Sequence, residues 1–192
     1  MKGNKTTTII LAIAAVFVLS VAYAAFSTSI SITGSGNIGS TWNVGFDTTN
    51  TTCTATTTKD SGKPSTCTLS TKNATSIVGS MAWGSPGDVI TLTVRVKNSG
   101  TLKASHSVSA KYYLTSNSST ACTNVSATGN YTVGTTSGTA QTLGTSAKTI
   151  GPMTLSASGY GVYTFVFTYS ASATSAAGSC TFTASGNATQ VA

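Results

Sequence analysis

Residues 84–116 read GSPGDVITLTVRVKNSGTLKASHSVSAKYYLTS, and this stretch sets the terms for the rest of the chain. After the Pro86-Gly87-Asp88 turn signal, Ile90, Leu92, Val94 and Val96 alternate with Val89, Thr91, Thr93 and Arg95. Side chains alternate between the two faces of an extended strand, so a period of two places one set in a core and the other toward water. Asn98-Ser99-Gly100 then turns the chain back. A return strand follows, with Val108, Ala110, Tyr112 and Leu114 on one face. Two long antiparallel strands joined by a tight turn need further strands to cover them.

The remaining sequence supplies those strands. Phe26, Thr28, Ile30 and Ile32 share one face of an extended segment and Ser27, Ser29 and Ser31 the other, until Gly34-Ser35-Gly36 ends it. Trp42, Val44 and Phe46 mark a second strand, and residues 77–83 fit another. Tyr163, Phe165, Phe167 and Tyr169 alternate with Thr164, Val166 and Thr168, aromatic on one side and β-branched on the other, as expected of a central strand. Phe182 and Val191 fall on closing strands. The Thr-rich stretch 48–71, with Gly62 and Pro64, reads as a long loop. From Ala25 onward there is no helical periodicity. Strands separated by Gly and Pro turns, without intervening helices, argue for an antiparallel sandwich. The chain of 192 residues has room for one such domain and an N-terminal extra segment.

That extra segment is MKGNKTTTIILAIAAVFVLSVAYAAFS. Lys2 and Lys5 give a positive end, residues 9–19 an unbroken apolar core, and Ala22-Tyr23-Ala24 small residues at the two positions that a signal peptidase reads. Cleavage between Ala24 and Ala25 makes residues 1–24 a signal peptide, 25–37 an N-terminal strand and 38–192 the sandwich domain. An uncleaved anchor is the alternative, because the apolar run to Phe26 is about as long as the shortest spanning helices. A third is a short pilin-type leader cut at Lys2-Gly3, from which Asn4-Lys5-Thr6-Thr7-Thr8 separates the apolar run. All three readings take the chain out of the cytoplasm, to the extracellular side or the cell surface.

Export bears on the cysteines. Cys53, Cys67, Cys122 and Cys180 make an even count, which on an exported chain favours disulfides. Three pairings are open; Cys53–Cys67 with Cys122–Cys180 gives each neighbourhood its own bond. Zinc is the rival use, but no Cys-x-x-Cys occurs, and His106 has no ligand spacing around it and reads as a surface residue on a strand. The expectation is no metal and no cofactor.

Charge narrows the function classes. Only 7% of residues are charged, against roughly 25% in ordinary soluble domains. The net charge is +7, yet Lys59, Lys63, Lys72, Arg95, Lys97, Lys103, Lys111 and Lys148 are scattered rather than gathered on a stripe with aromatic neighbours, which argues against nucleic acid. The acids are Asp47, Asp60 and Asp88, with no glutamate. They form no evident pair for acid–base work, and no Gly-x-Ser-x-Gly elbow or His-Glu-x-x-His motif is present. The chain reads as a non-enzyme.

Three stretches together resemble one family. A signal ending in AYA runs into AFSTSISITGSGNI; a Trp-led strand, TWNVGF, follows; then comes PGDVITLTVRVKNSGTLKA. In this order they resemble the TasA/camelysin group of secreted β-sandwich proteins and the related donor-strand pili and threads of archaea, and the likeness extends to the late aromatic strand. The resemblance implies an all-β fold, an antiparallel jelly-roll or Ig-like sandwich preceded by an N-terminal apolar signal helix, that assembles with copies of itself into a surface filament or biofilm-matrix fibre. It also implies donation of a strand, here 25–37, with Phe26, Thr28, Ile30 and Ile32 facing the next subunit. Main-chain hydrogen bonds then supply affinity and alternate side chains supply register. The four cysteines and the 48–71 stretch are not features of that resemblance, and the proteolysis linked to camelysin has no support in these residues.

A first strand that pairs within its own sheet shows the same alternation. The second functional reading is therefore a monomeric, membrane-anchored adhesin whose loops, with aromatics such as Trp83, touch glycans or other cells; only there does the chain meet a membrane, through an uncleaved N-terminal helix. Past the signal segment, the Asn-x-Ser/Thr sequons at Asn50, Asn73, Asn117, Asn124, Asn130 and Asn187 are candidate N-glycosylation sites on either reading.

Overall fold

The computed structural model describes residues 43–58, 63–174 and 177–191. The signal segment, the 25–37 strand and Trp42 lie outside the described residues. The described part is all-β, an antiparallel sandwich of two sheets.

Twelve strands follow in chain order: β1 (Val44–Phe46), β2 (Thr52–Thr56), β3 (Thr66–Lys72), β4 (Ser76–Ala82), β5 (Val89–Asn98), β6 (Ala104–Leu114), β7 (Val125–Val133), β8 (Thr136–Ser137), β9 (Gln141–Thr142), β10 (Lys148–Leu155), β11 (Tyr160–Tyr169) and β12 (Ser179–Gln190). One sheet runs β1-β5-β11-β7-β8, with β2 also on β5 and β9 also on β7; the other runs β10-β6-β12-β4-β3. The aromatic strand β11 is central, paired to β5 on one side and β7 on the other. Its Tyr163, Phe165, Phe167 and Tyr169 face inward with Ile90, Leu92, Val94 and Val96 of β5, and all eight are buried. Across the interface, Val108, Ala110 and Tyr112 of β6 are buried and Leu114 is half-buried. Phe182 of β12 packs between Phe165 and Phe167, at ring separations of 4.8 and 5.4 Å. Large aromatics from both sheets thus fill the space between them, and their burial is the main favourable term of the fold.

The 48–71 stretch departs from its reading as a loop. It holds β2 and β3, each with one of the cysteines. Turn residues suggested a loop, but Thr is β-branched and favours extended backbone wherever a strand edge is open beside it. Here β2 continues the β5 edge where β1 stops, pairing Thr52 with Thr93 and Thr56 with Val89. Of the described residues in this stretch, 48–51, 57–58 and 63–65 lie outside a strand.

The connections fall at two ends. At the end where β5 begins lie the β2–β3, β4–β5, β6–β7 and β11–β12 connections, most of them long. At the opposite end lie the shorter β3–β4, β5–β6 and β10–β11 turns, the start of β1 and the last residues of β12.

Candidate functional site

At the end where β5 begins, Asp88 joins two connections, β2–β3 and β4–β5. It sits in the turn that the sequence marks as Pro86-Gly87-Asp88; Gly87 has φ +97°, a left-handed value that suits glycine. Asp88 is 0% exposed. Its Oδ1 accepts from Thr58 N at 2.7 Å and Thr58 Oγ1 at 2.9 Å, and its Oδ2 from Ser65 Oγ at 2.7 Å and Ser85 N at 2.9 Å. Ser65 Oγ also accepts from Gly84 N at 2.9 Å. Burial opposes the charge of Asp88, but the hydrogen bonds from Ser65, Thr58 and Ser85 outweigh it and hold the carboxyl below its ordinary value.

Both disulfides belong to the same half. Cys53–Cys67 ties β2 of one sheet to β3 of the other, and Cys122–Cys180 ties the β6–β7 connection to the start of β12. The pairing by neighbourhood is the one formed, and no described cysteine is free. Two disulfides fit an oxidising compartment.

The opposite end is built differently. Asn98 is buried and donates from Nδ2 to Leu102 O at 2.7 Å and Ser156 O at 2.9 Å, while its Oδ1 accepts from Gly100 N at 3.0 Å. It therefore clips the β5–β6 turn to the β10–β11 turn. His106 corrects the reading of a surface residue, being 2% exposed. The Tyr163 hydroxyl donates to His106 O at 2.8 Å and sits 3.1 Å from His106 Nδ1. With the hydroxyl proton committed to the carbonyl, Nδ1–H donates to the Tyr163 oxygen. Burial pushes the His106 pKa down to about 4. Burial, with Tyr131 nearby, raises that of Tyr163. Phe46 of β1 packs edge-on to the imidazole at 5.6 Å. The alternation held the clue: His106 has the parity of Val108, Ala110 and Tyr112, so it shares their inward face.

Between the ends, Asp47 shapes the jog from β1 to β2. Its Oδ2 accepts from Asn50 Nδ2 at 2.8 Å and its Oδ1 from the backbone N–H groups of Thr49 and Asn50 at 3.2 Å each. The Asn50 bonds, with Arg95 nearby, lower its pKa. Arg95 Nε lies 3.6 Å from Asp47 Oδ2, and its guanidinium rests 4.0 Å above the ring of Tyr160, an exposed aromatic (56%). A cleft of 430 Å³ opens here, lined by Asn43, Asp47, Asn50, Ala74 and Lys97 among others. Asp47 and Asp88 thus have their oxygens engaged by the surrounding chain.

The edges of the sandwich complete the picture. β7 is capped by the short β8 and β9. β10 carries Pro152 at a register shift and so lacks an N–H there. β3 pairs with β4 on one side and has no ladder partner on the other among the described residues.

The sequons scatter. Asn50, Asn73, Asn117, Asn124 and Asn187 are exposed and Asn130 half-buried. Asn130 and Asn187 lie inside β7 and β12, the others in connections. The signal site at Ala24 and Ala25, and Phe26, Thr28, Ile30 and Ile32, fall outside the described residues.

No protein-family profile matches the chain, and no curated protein matches it in sequence.

Proposed function

We propose that the protein is an exported structural subunit of an extracellular filament (a pilus, thread or biofilm-matrix fibre), a jelly-roll sandwich that polymerises by donating residues 25–37 to the next copy. The observation that carries this reading is the outer edge of β3. A strand edge with unpaired N–H and C=O groups is a template for another chain. β3 is uncharged up to Lys72 and has no proline, unlike β10. Leu69 on its inner face is half-buried, while Thr66, Thr68 and Ser70 face outward and are exposed. A strand with Phe26, Ile30 and Ile32 on one face and Ser27, Ser29 and Ser31 on the other repeats that division, so it can extend the sheet with its apolar side toward the core.

The test is intact mass and N-terminal sequencing of protein sheared from its cells, with a sizing column beside it. The expected result is a chain beginning at Ala25 that elutes as a large polymer, and deletion of 25–37 abolishing that polymer while the sandwich still folds. A monomer that retains its apolar segment and is released only by detergent overturns the filament and leaves the anchored adhesin.

A further inference from the structure

We infer that Asn73 is a site of covalent N-linked glycosylation, because its turn already brings its amide and the sequon hydroxyl together. This goes beyond the filament reading and does not depend on it.

The β3–β4 turn presents Asn73, Ala74 and Thr75, all exposed. Asn73 Oδ1 accepts from Ser76 N at 2.7 Å, Thr75 N at 3.0 Å and Thr75 Oγ1 at 3.3 Å, and Asn73 N donates to Ser76 O at 3.0 Å. Three donors hold the carboxamide oxygen toward the turn, so Nδ2 is left on the solvent side. Asparagine side chains bend their own backbone in this way, and here the bend spans the Asn-Ala-Thr triplet itself. The turn is anchored from outside as well: Ala74 O accepts from Phe46 N at 2.8 Å.

Asn50, Asn117, Asn130 and Asn187 are placed differently. Asn50 Nδ2 is held by Asp47 Oδ2. Asn130 pairs with Thr164 inside β7, and Asn187 with Ser107 inside β12. On an extended strand an asparagine and the hydroxyl two residues on stand side by side about 6.5 Å apart and do not meet. At Asn117, Oδ1 accepts from Ser119 N at 3.0 Å, a bond to the backbone rather than to the sequon hydroxyl. Asn124 has φ +58° and runs directly into β7, where Ser126 pairs with Thr168.

The modifying group is a sugar activated as a polyprenyl-phosphate-linked oligosaccharide, delivered by a membrane transferase on the exported side. Asn73 Nδ2 bonds to the anomeric carbon, the bond from that carbon to the phosphate oxygen breaks with its electron pair staying on the phosphate, and Nδ2 gives up one of its two hydrogens as a proton. The amide nitrogen keeps the other hydrogen, and the Oδ1 bonds of the turn survive the reaction.

The experiment is glycopeptide mapping by mass spectrometry on the protein purified from its own cells. The expected result is a peptide containing Asn73 that carries a glycan mass on most molecules, with the Asn130 and Asn187 peptides unmodified. Thr75→Val should remove that mass and Thr75→Ser retain it at reduced occupancy; because the map of the unaltered protein decides the site, a variant that fails to fold does not weaken the test. An unmodified Asn73 peptide, whether the other sequons are occupied or bare, overturns the inference. Each result is read independently of whether the sample is a polymer or a monomer.

Discussion

The two ends of the sandwich hold themselves by different means. Where β5 begins, long connections rich in Ser, Thr and Gly have little apolar surface to bury, and they are fastened by two disulfides and by a buried carboxylate that takes four hydrogen bonds. Where β5 ends, turns are short, an asparagine clips them, and His106, Tyr163 and Phe46 pack as a ring cluster beneath the edge strand. At the first end the covalent and hydrogen-bonded fastening holds polar connections above a core that still contains Tyr112, Phe167 and Phe182. At the second the turns are short enough that an asparagine clip and ring packing suffice.

The largest expected effect separates the ends most cleanly. Replacing Cys122 and Cys180 by serine opens a loop with a sequence separation of 58 residues and should cost about 4 kcal/mol on loop-entropy grounds, read by denaturant unfolding at neutral pH. If the ends are independent, the acid response of His106 should survive that change.

Asp88→Ala leaves the Ser65, Thr58 and Ser85 donors unpaired in a buried site, an expected loss of about 3 to 4 kcal/mol. Asp47→Ala, with its partly exposed ion pair, should cost under about 1 kcal/mol. Comparable losses in thermal unfolding for the two variants would erase the distinction between a buried hub and a surface jog.

Acid should undo the two ends in sequence. His106 is neutral when folded, with a pKa of about 4 against 6.5 for an ordinary histidine, so the unfolded chain binds the proton first. Its contribution is fully present above about pH 6.5 and is lost as pH falls toward 4, up to about 3 kcal/mol. Asp88 titrates below the ordinary carboxylate value, so its contribution disappears only at lower pH, as that carboxylate is protonated. Urea midpoints measured across this range should show the upper limb vanish in His106→Phe and the lower one remain.

A smaller effect probes the join between β1 and the β3–β4 turn. A Cβ on Gly45 would stand 2.8 Å from Ala74 O, a backbone atom with little freedom to move. Gly45→Ala should cost about 1 to 2 kcal/mol, with hydrogen exchange speeding up in β1 rather than at the disulfide end.

Much of the sandwich was legible because alternation is a local property. The inward sets of β5, β6 and β11 follow from parity along each strand, and the central place of β11 from being apolar or β-branched on both faces. The stretch 48–71 was not legible as strands, since its short alternations of Thr with Cys53, Ala55, Cys67 and Leu69 carry little apolar surface, and it is the neighbouring β5 and β4 that decide how β2 and β3 pair. His106 was misplaced for a related reason. A lone polar side chain suggests solvent, while its parity with Val108 places it in the core, and it is tolerated there because Tyr163 satisfies its Nδ1.

What the sequence determined by itself was the periodic part: extended strands, their inward faces, the turns at Pro86-Gly87-Asp88 and Asn98-Ser99-Gly100, and the cysteine neighbourhoods. The tertiary structure alone decided which strands lie beside one another and which polar groups are buried with partners. Asp88 meets Thr58, thirty residues away, and Tyr163 meets His106, fifty-seven residues away. Alternation is imposed by the geometry of a single chain, whereas those partners are chosen by how two twisted sheets close on each other.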